Sequence, residues 1–87
     1  MSYEVEFASR AARAFLKLPR QVQQRLSPRI GALSEDPRPS GCEKLRGLDA
    51  YRVRVGDYRI VYFIDESDRI VTIANVGHRR DVYRGTG

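Results

Sequence analysis

Polar and apolar residues alternate at the start of the chain. Tyr3, Val5 and Phe7 fall on one face with Glu4 and Glu6 between them, the period-two pattern of a short, half-buried strand. The period then lengthens. Ser9 suits a helix N-cap, and Ala11, Ala14, Phe15 and Leu18 recur at helical spacing. Pro19 ends this helix and can open the next, since proline is tolerated at a first helical position. Val22, Leu26, Ile30 and Leu33 form the stripe of a second helix, ending before Asp36-Pro37. Pro28 lies inside that stripe, where a lost hydrogen bond predicts a kink. Residues 36–50, rich in proline, glycine and serine, read as a loop.

Three strands are predicted beyond it. Ala50 to Val55 alternates, Tyr58 to Ile64 is nearly all apolar, and Arg69 to Val76 is rich in β-branched residues. Gly56-Asp57 joins the first two as a two-residue hairpin with glycine first, as a type II′ turn requires. The acidic loop Asp65-Glu66-Ser67-Asp68 joins the next pair. The order β-α-α-β-β-β predicts an α+β fold: an antiparallel sheet with a helical hairpin packed on one face.

Eighty-seven residues with no linker-like stretch read as one domain, 1–87, with a modest core. Neither a membrane span nor a signal peptide is visible, and a single cysteine, Cys42, excludes an internal disulfide. The chain therefore reads as cytoplasmic. Sixteen basic residues against eleven acidic give +5, which suits a polyanionic partner. Fourteen of the sixteen are arginine, whose planar fork of donors matches phosphate.

Placement sharpens this. A two-residue turn at 56–57 pairs Val55 with Tyr58 and Arg54 with Arg59, with Arg52 on the same face. Like charges directly opposite on a sheet cost roughly 0.2–1 kcal/mol per pair, so an anion is expected to offset them. The bland alternative is a solvated face whose long side chains splay apart. An antiparallel last strand ends beside the 56–57 turn and delivers His78, Arg79, Arg80 and Tyr83 there. Residues 52–59 and 78–84 together hold six arginines against two aspartates, whereas the other end of the sheet carries the acidic 65–68 loop. Tyr83 is either a stacking ring for a base or an apolar anchor of the sheet edge. His78 is either an ordinary surface residue or a proton acceptor at neutral pH. No metal-ligand spacing and no glycine-rich phosphate loop is present, and no cofactor is implied.

Four segments in order resemble the RelE branch of the RelE/ParE toxin superfamily. They are Lys44-Leu45-Arg46-Gly47, Tyr51-Arg52-Val53-Arg54-Val55, Gly56-Asp57-Tyr58-Arg59-Ile60-Val61-Tyr62, and Val76-Gly77-His78-Arg79-Arg80-Asp81-Val82-Tyr83. The resemblance implies a toxin of a type II toxin–antitoxin system, a ribosome-dependent mRNA endonuclease. It would cut in the ribosomal A site without metal, by attack of the RNA 2′-hydroxyl on the adjacent phosphate. The implied partners are a RelB-like antitoxin, the 70S ribosome and mRNA, with no membrane. Carried over by position, Arg59 and Arg79 clamp the scissile phosphate, and Arg52, Arg54 and Arg80 hold RNA. Lys44 and Arg46 touch ribosomal RNA, and Tyr83 orients the nucleotide or moves a proton. RelE-type enzymes often carry lysines where Arg52 and Arg54 stand. Arginine effectively never gives up its proton, so His78 or Tyr83 would have to act as base. His78 is the better candidate, because histidine's reference pKa of about 6.5 lies near the working pH and tyrosine's of about 10 does not. The sequence given ends four residues after Tyr83, so the C-terminal helix of some relatives is not expected. The ParE branch, a non-enzymatic inhibitor of DNA gyrase, is the alternative the resemblance leaves.

Overall fold

The structure is a computed structural model, and it describes residues 2–45, 47 and 49–80. Its elements are β1 (Glu4–Phe7), α1 (Ser9–Leu16), α2 (Arg20–Ala32), β2 (Glu43–Lys44), β3 (Ala50–Val55), β4 (Tyr58–Asp65) and β5 (Ile70–His78). The strands form one sheet in the order β1-β5-β4-β3-β2. Four of them are antiparallel neighbours, as the pattern predicts, while β1 joins the β5 edge in parallel. The predicted α+β class and the β-α-α-β-β-β order hold. The additions are that parallel edge and the two-residue β2, which lies inside the stretch expected to be loop.

Both helices lie on one face of the sheet. Ala11 of α1, Leu26 and Ile30 of α2 and the adjoining Leu33 pack on Val53, Val55, Ile60, Tyr62, Val71, Ile73 and Val76, all buried. The predicted stripes therefore meet the inward faces of β3, β4 and β5. Phe7 of β1 closes one edge against Phe15, ring centroids 5.7 Å apart. The Tyr62 hydroxyl, fully inside, donates to the Pro37 carbonyl at 2.7 Å and so anchors the loop after α2. Burial pushes the pKa of this phenol well up, so it stays a donor.

The helix ends differ slightly from expectation. Ala8, not Ser9, is the N-cap of α1, because its N–H still bonds Ile73 of β5 at 2.9 Å and holds it extended. Pro19 caps α2 from outside the helix, and Gln23 reaches back to donate to the Leu16 and Leu18 carbonyls at 3.3 and 2.9 Å. Pro28 does not end α2; it stands on the exposed side, as does Gln24, whose carbonyl loses its helical donor to the proline ring.

The β4–β5 ladder carries one irregularity. Val61 pairs with Asn75 but Tyr62 with Ile73, so Ala74 is an extra residue in β5. It resets the alternation: Val71 and Ile73 face the helices, and so do Val76 and His78.

Candidate nucleic-acid interface

The face that the helices leave open carries the arginines. β3 presents Arg52 and Arg54 there beside Ala50, and β4 presents Arg59 beside Val61. Arg54 and Arg59 are directly opposite, as the turn length predicts. Gly56 has φ +61° while Asp57 keeps negative φ, the type II′ arrangement that glycine permits. The Arg59 guanidinium turns back toward its own turn, donating to the Gly56 and Tyr58 carbonyls at 3.4 and 3.2 Å. The Arg79 N–H donates to the Asp57 carbonyl at 2.8 Å, which pins the residue after β5 beside the hairpin turn. That contact joins the two basic segments at one end of the sheet, as antiparallel topology requires.

A further arginine arrives from the helices. A Cβ on Gly56 would stand 2.8 Å from Nη2 of Arg25, so the missing side chain leaves room for this α2 guanidinium over the turn. Its position in a polar stretch of α2 gives no sequence signal for that contact.

The expected counter-ion is internal. Glu43 of β2 pairs in register with Arg52, and its Oε1 lies 3.0 Å from Arg52 Nη2 and 3.6 Å from Arg54 Nε. A carboxylate from the supposed loop thus supplies, for Arg52 and Arg54, an anion of the kind that was expected to offset their charge. Lys44, paired with Tyr51, alternates to the opposite face and does not join the arginines. Arg46 and Tyr83 lie outside the described residues.

His78 does not share the arginine face. It is the last residue of β5, and it pairs with Tyr58 on the helix side. Its ring meets the Tyr58 ring edge-to-face, centroids 5.6 Å apart. Nδ1 accepts the Arg80 N–H at 3.2 Å, so in this geometry a neutral ring carries its proton on Nε2. His78, Tyr58 and Asn75 line a cavity of about 450 Å³ whose other wall is α1, with Arg10, and its C-cap Lys17. The sheet separates this histidine from Arg52, Arg54 and Arg59.

At the far end of the sheet the acidic loop is partly neutralised. Glu66 accepts from the Tyr3 hydroxyl and pairs with Arg38 at 2.7 Å, and these partners hold its carboxyl below the usual range. Among the described residues, no group of three or more histidine, cysteine or carboxylate side chains comes together to hold a metal ion. No described helix is long and apolar enough to cross a membrane.

The geometry defines a small α+β protein whose open sheet face and one sheet end gather arginines. Known proteins resemble it in both fold and sequence. The profile of the ParE toxin of type II toxin–antitoxin systems, parDE, matches residues 5–83. Toxin RelG of Mycobacterium tuberculosis is 36% identical over 86 residues, covering 97% of this chain and 99% of that protein. The mRNA interferase toxin RelE of Escherichia coli is 32% identical over 82 residues, 91% of this chain and 85% of that one. Among solved structures, the toxin–antitoxin complex RelBE2 of M. tuberculosis matches with a TM-score of 0.81 at 32% identity, covering 91% of this chain and all of the other. The intact E. coli RelBE complex matches at 0.79 and 30% identity over 88% of this chain and 96% of that one. The chain belongs to the RelE/ParE superfamily and is a RelE-family toxin of a type II toxin–antitoxin system.

Proposed function

We propose that this toxin is an endoribonuclease that cuts mRNA in the ribosomal A site. The RNA 2′-hydroxyl attacks the adjacent phosphate, giving a 2′,3′-cyclic phosphate and a 5′-hydroxyl, with no metal required. The observation that carries this is the opposed Arg54–Arg59 pair, with Arg52 beside it and Arg79 tied to the same turn. Attack builds negative charge on the non-bridging oxygens, and fixed guanidinium groups stabilise that charge more in the transition state than in the ground state. Arg59 and Arg79 flank the scissile phosphate, and Arg52, Arg54 and Arg80 hold the RNA backbone. Lys44 and Arg46, on the segment that precedes the catalytic hairpin, contact ribosomal RNA. The proton-transfer role falls to Tyr83 rather than His78, since His78 packs on Tyr58 across the sheet from Arg59.

The partners are a RelB-like antitoxin, the ribosome and mRNA, and the compartment is the cytoplasm. Structural neighbours that are RelE–RelB toxin–antitoxin complexes support the antitoxin. The matching profile is that of a ParE toxin, which gives gyrase inhibition as the second reading. Primer extension on a translated mRNA, run beside a gyrase supercoiling assay, separates the two: new 5′ ends in A-site codons support the first, and lost supercoiling without cleavage supports the second.

A further inference from the structure

One acid stands among the arginines of the open face. The Glu43 carboxylate bridges Arg52 and Arg54, the two guanidiniums assigned above to the RNA backbone. A carboxylate and a phosphodiester offer an arginine fork the same thing, anionic oxygens within reach of parallel N–H donors. We propose that Glu43 is an intramolecular occupant of the backbone-phosphate subsite, a carboxylate that incoming RNA must displace with its own phosphate. The inference rests on the reading of this face as an RNA surface.

Three features favour displacement over a permanent clip. β2 is two residues long, lies at the sheet edge, and both of its residues are exposed, so Glu43 can let go without disturbing the core. The Glu43 side chain is 47% exposed and that of Arg54 61%, so water screens their 3.6 Å contact and holds it weakly. The exchange also conserves charge, since Arg52 and Arg54 trade one anion for another.

The consequence is selectivity. A built-in competitor lowers affinity for every loose polyanion, so RNA held only by this face is penalised. RNA also anchored elsewhere, as a message is on a ribosome, tolerates the loss. A displaced carboxylate that still lies about 6 Å from the entering phosphate, at an effective dielectric of about 40–80, weakens binding roughly three- to tenfold.

Fluorescence anisotropy with a short single-stranded 2′-O-methyl RNA tests this, because that probe has no free 2′-hydroxyl and reports binding without cleavage. Glu43→Gln should tighten binding about three- to tenfold at low salt. It should also steepen the dependence of log K on log salt, by up to about 0.7, because no displaced carboxylate is left to take up a counter-ion while the phosphate releases its own. Glu35→Gln, the same charge change at an exposed residue after α2, should leave affinity within about twofold. Glu43→Ser repeats the test should the glutamine variant fold poorly. Unchanged or weaker binding in the Glu43 variants, or equal tightening in Glu35→Gln, overturns the proposal while Arg52→Ala still weakens binding. Loss of that arginine dependence overturns the RNA reading of the face and the proposal with it.

Discussion

Arg59→Met separates a catalytic arginine from a structural one, because here the two roles predict opposite results. Methionine keeps an apolar stem of similar length and removes the charge. In the folded protein Arg59 faces Arg54 across the hairpin, and relieving such a like-charge pair is worth roughly 0.2–1 kcal/mol. Against this stand two long hydrogen bonds, 3.4 and 3.2 Å, to the Gly56 and Tyr58 carbonyls at a partly exposed position. Together they are worth about 1 kcal/mol at most, given their length and exposure. The terms oppose each other, so stability should change by less than about 1 kcal/mol. For a domain of this size that is a Tm shift of less than about 8 °C in either direction. The chemical step should suffer far more. Removing one preorganised donor to a developing oxyanion typically lowers the rate about 10²–10³-fold, or roughly 2.7–4 kcal/mol of barrier. Circular dichroism melts and single-turnover cleavage on programmed ribosomes, performed on the same preparation, provide the two readings. A Tm drop of ten degrees or more with a matching loss of activity would make Arg59 a structural residue. A wild-type cleavage rate would remove it from the site.

Gly56→Ala should destabilise the protein by about 1–2 kcal/mol, since an L-residue is forced to φ +61°; melts should fall by roughly 4–16 °C. Adding Arg25→Ala relieves only the 2.8 Å contact with a flexible side-chain end, so it should restore little of that loss, and full restoration would place the cost in sterics instead of backbone strain. His78→Gln should leave single-turnover cleavage within a few-fold of wild type, whereas Tyr83→Phe should slow it by about 10²–10⁴-fold, the range for a positioned proton-transfer group. The reverse pattern would show that His78 reaches the reacting atoms despite its packing on Tyr58.

How far the sequence carried depends on whether each signal was local. The helix stripes and the β3–β4 hairpin were legible because a period or a turn type is written within a few residues. Gly56-Asp57 alone sets which arginines face each other, and the register follows. The parallel pairing of β1 with β5 was not legible, because nothing near Glu4 records a partner at Ile70. Glu43 escaped notice for a related reason: two polar residues have no period, and their strand exists only because β3 lies alongside. The face of His78 depends on Ala74. Without that extra residue, Val71 and Ile73 would put positions 75 and 77 on the helix side and His78 among the arginines; the bulge shifts the phase by one. A single inserted residue thus moved the candidate base across the sheet while leaving the arginines where the turn had set them.

The central claim, that the arginine face cuts mRNA only when a ribosome presents it, rests most directly on one comparison. A defined mRNA is incubated with the toxin, first naked and then in translating ribosomes, and primer extension maps the new 5′ ends. Breaks should appear within A-site codons on ribosomes, none of comparable yield on naked RNA, and the ribosomal breaks should disappear with Arg59→Met. Equal cleavage of naked RNA, or intact mRNA on ribosomes at toxin concentrations that block gyrase supercoiling, would contradict it.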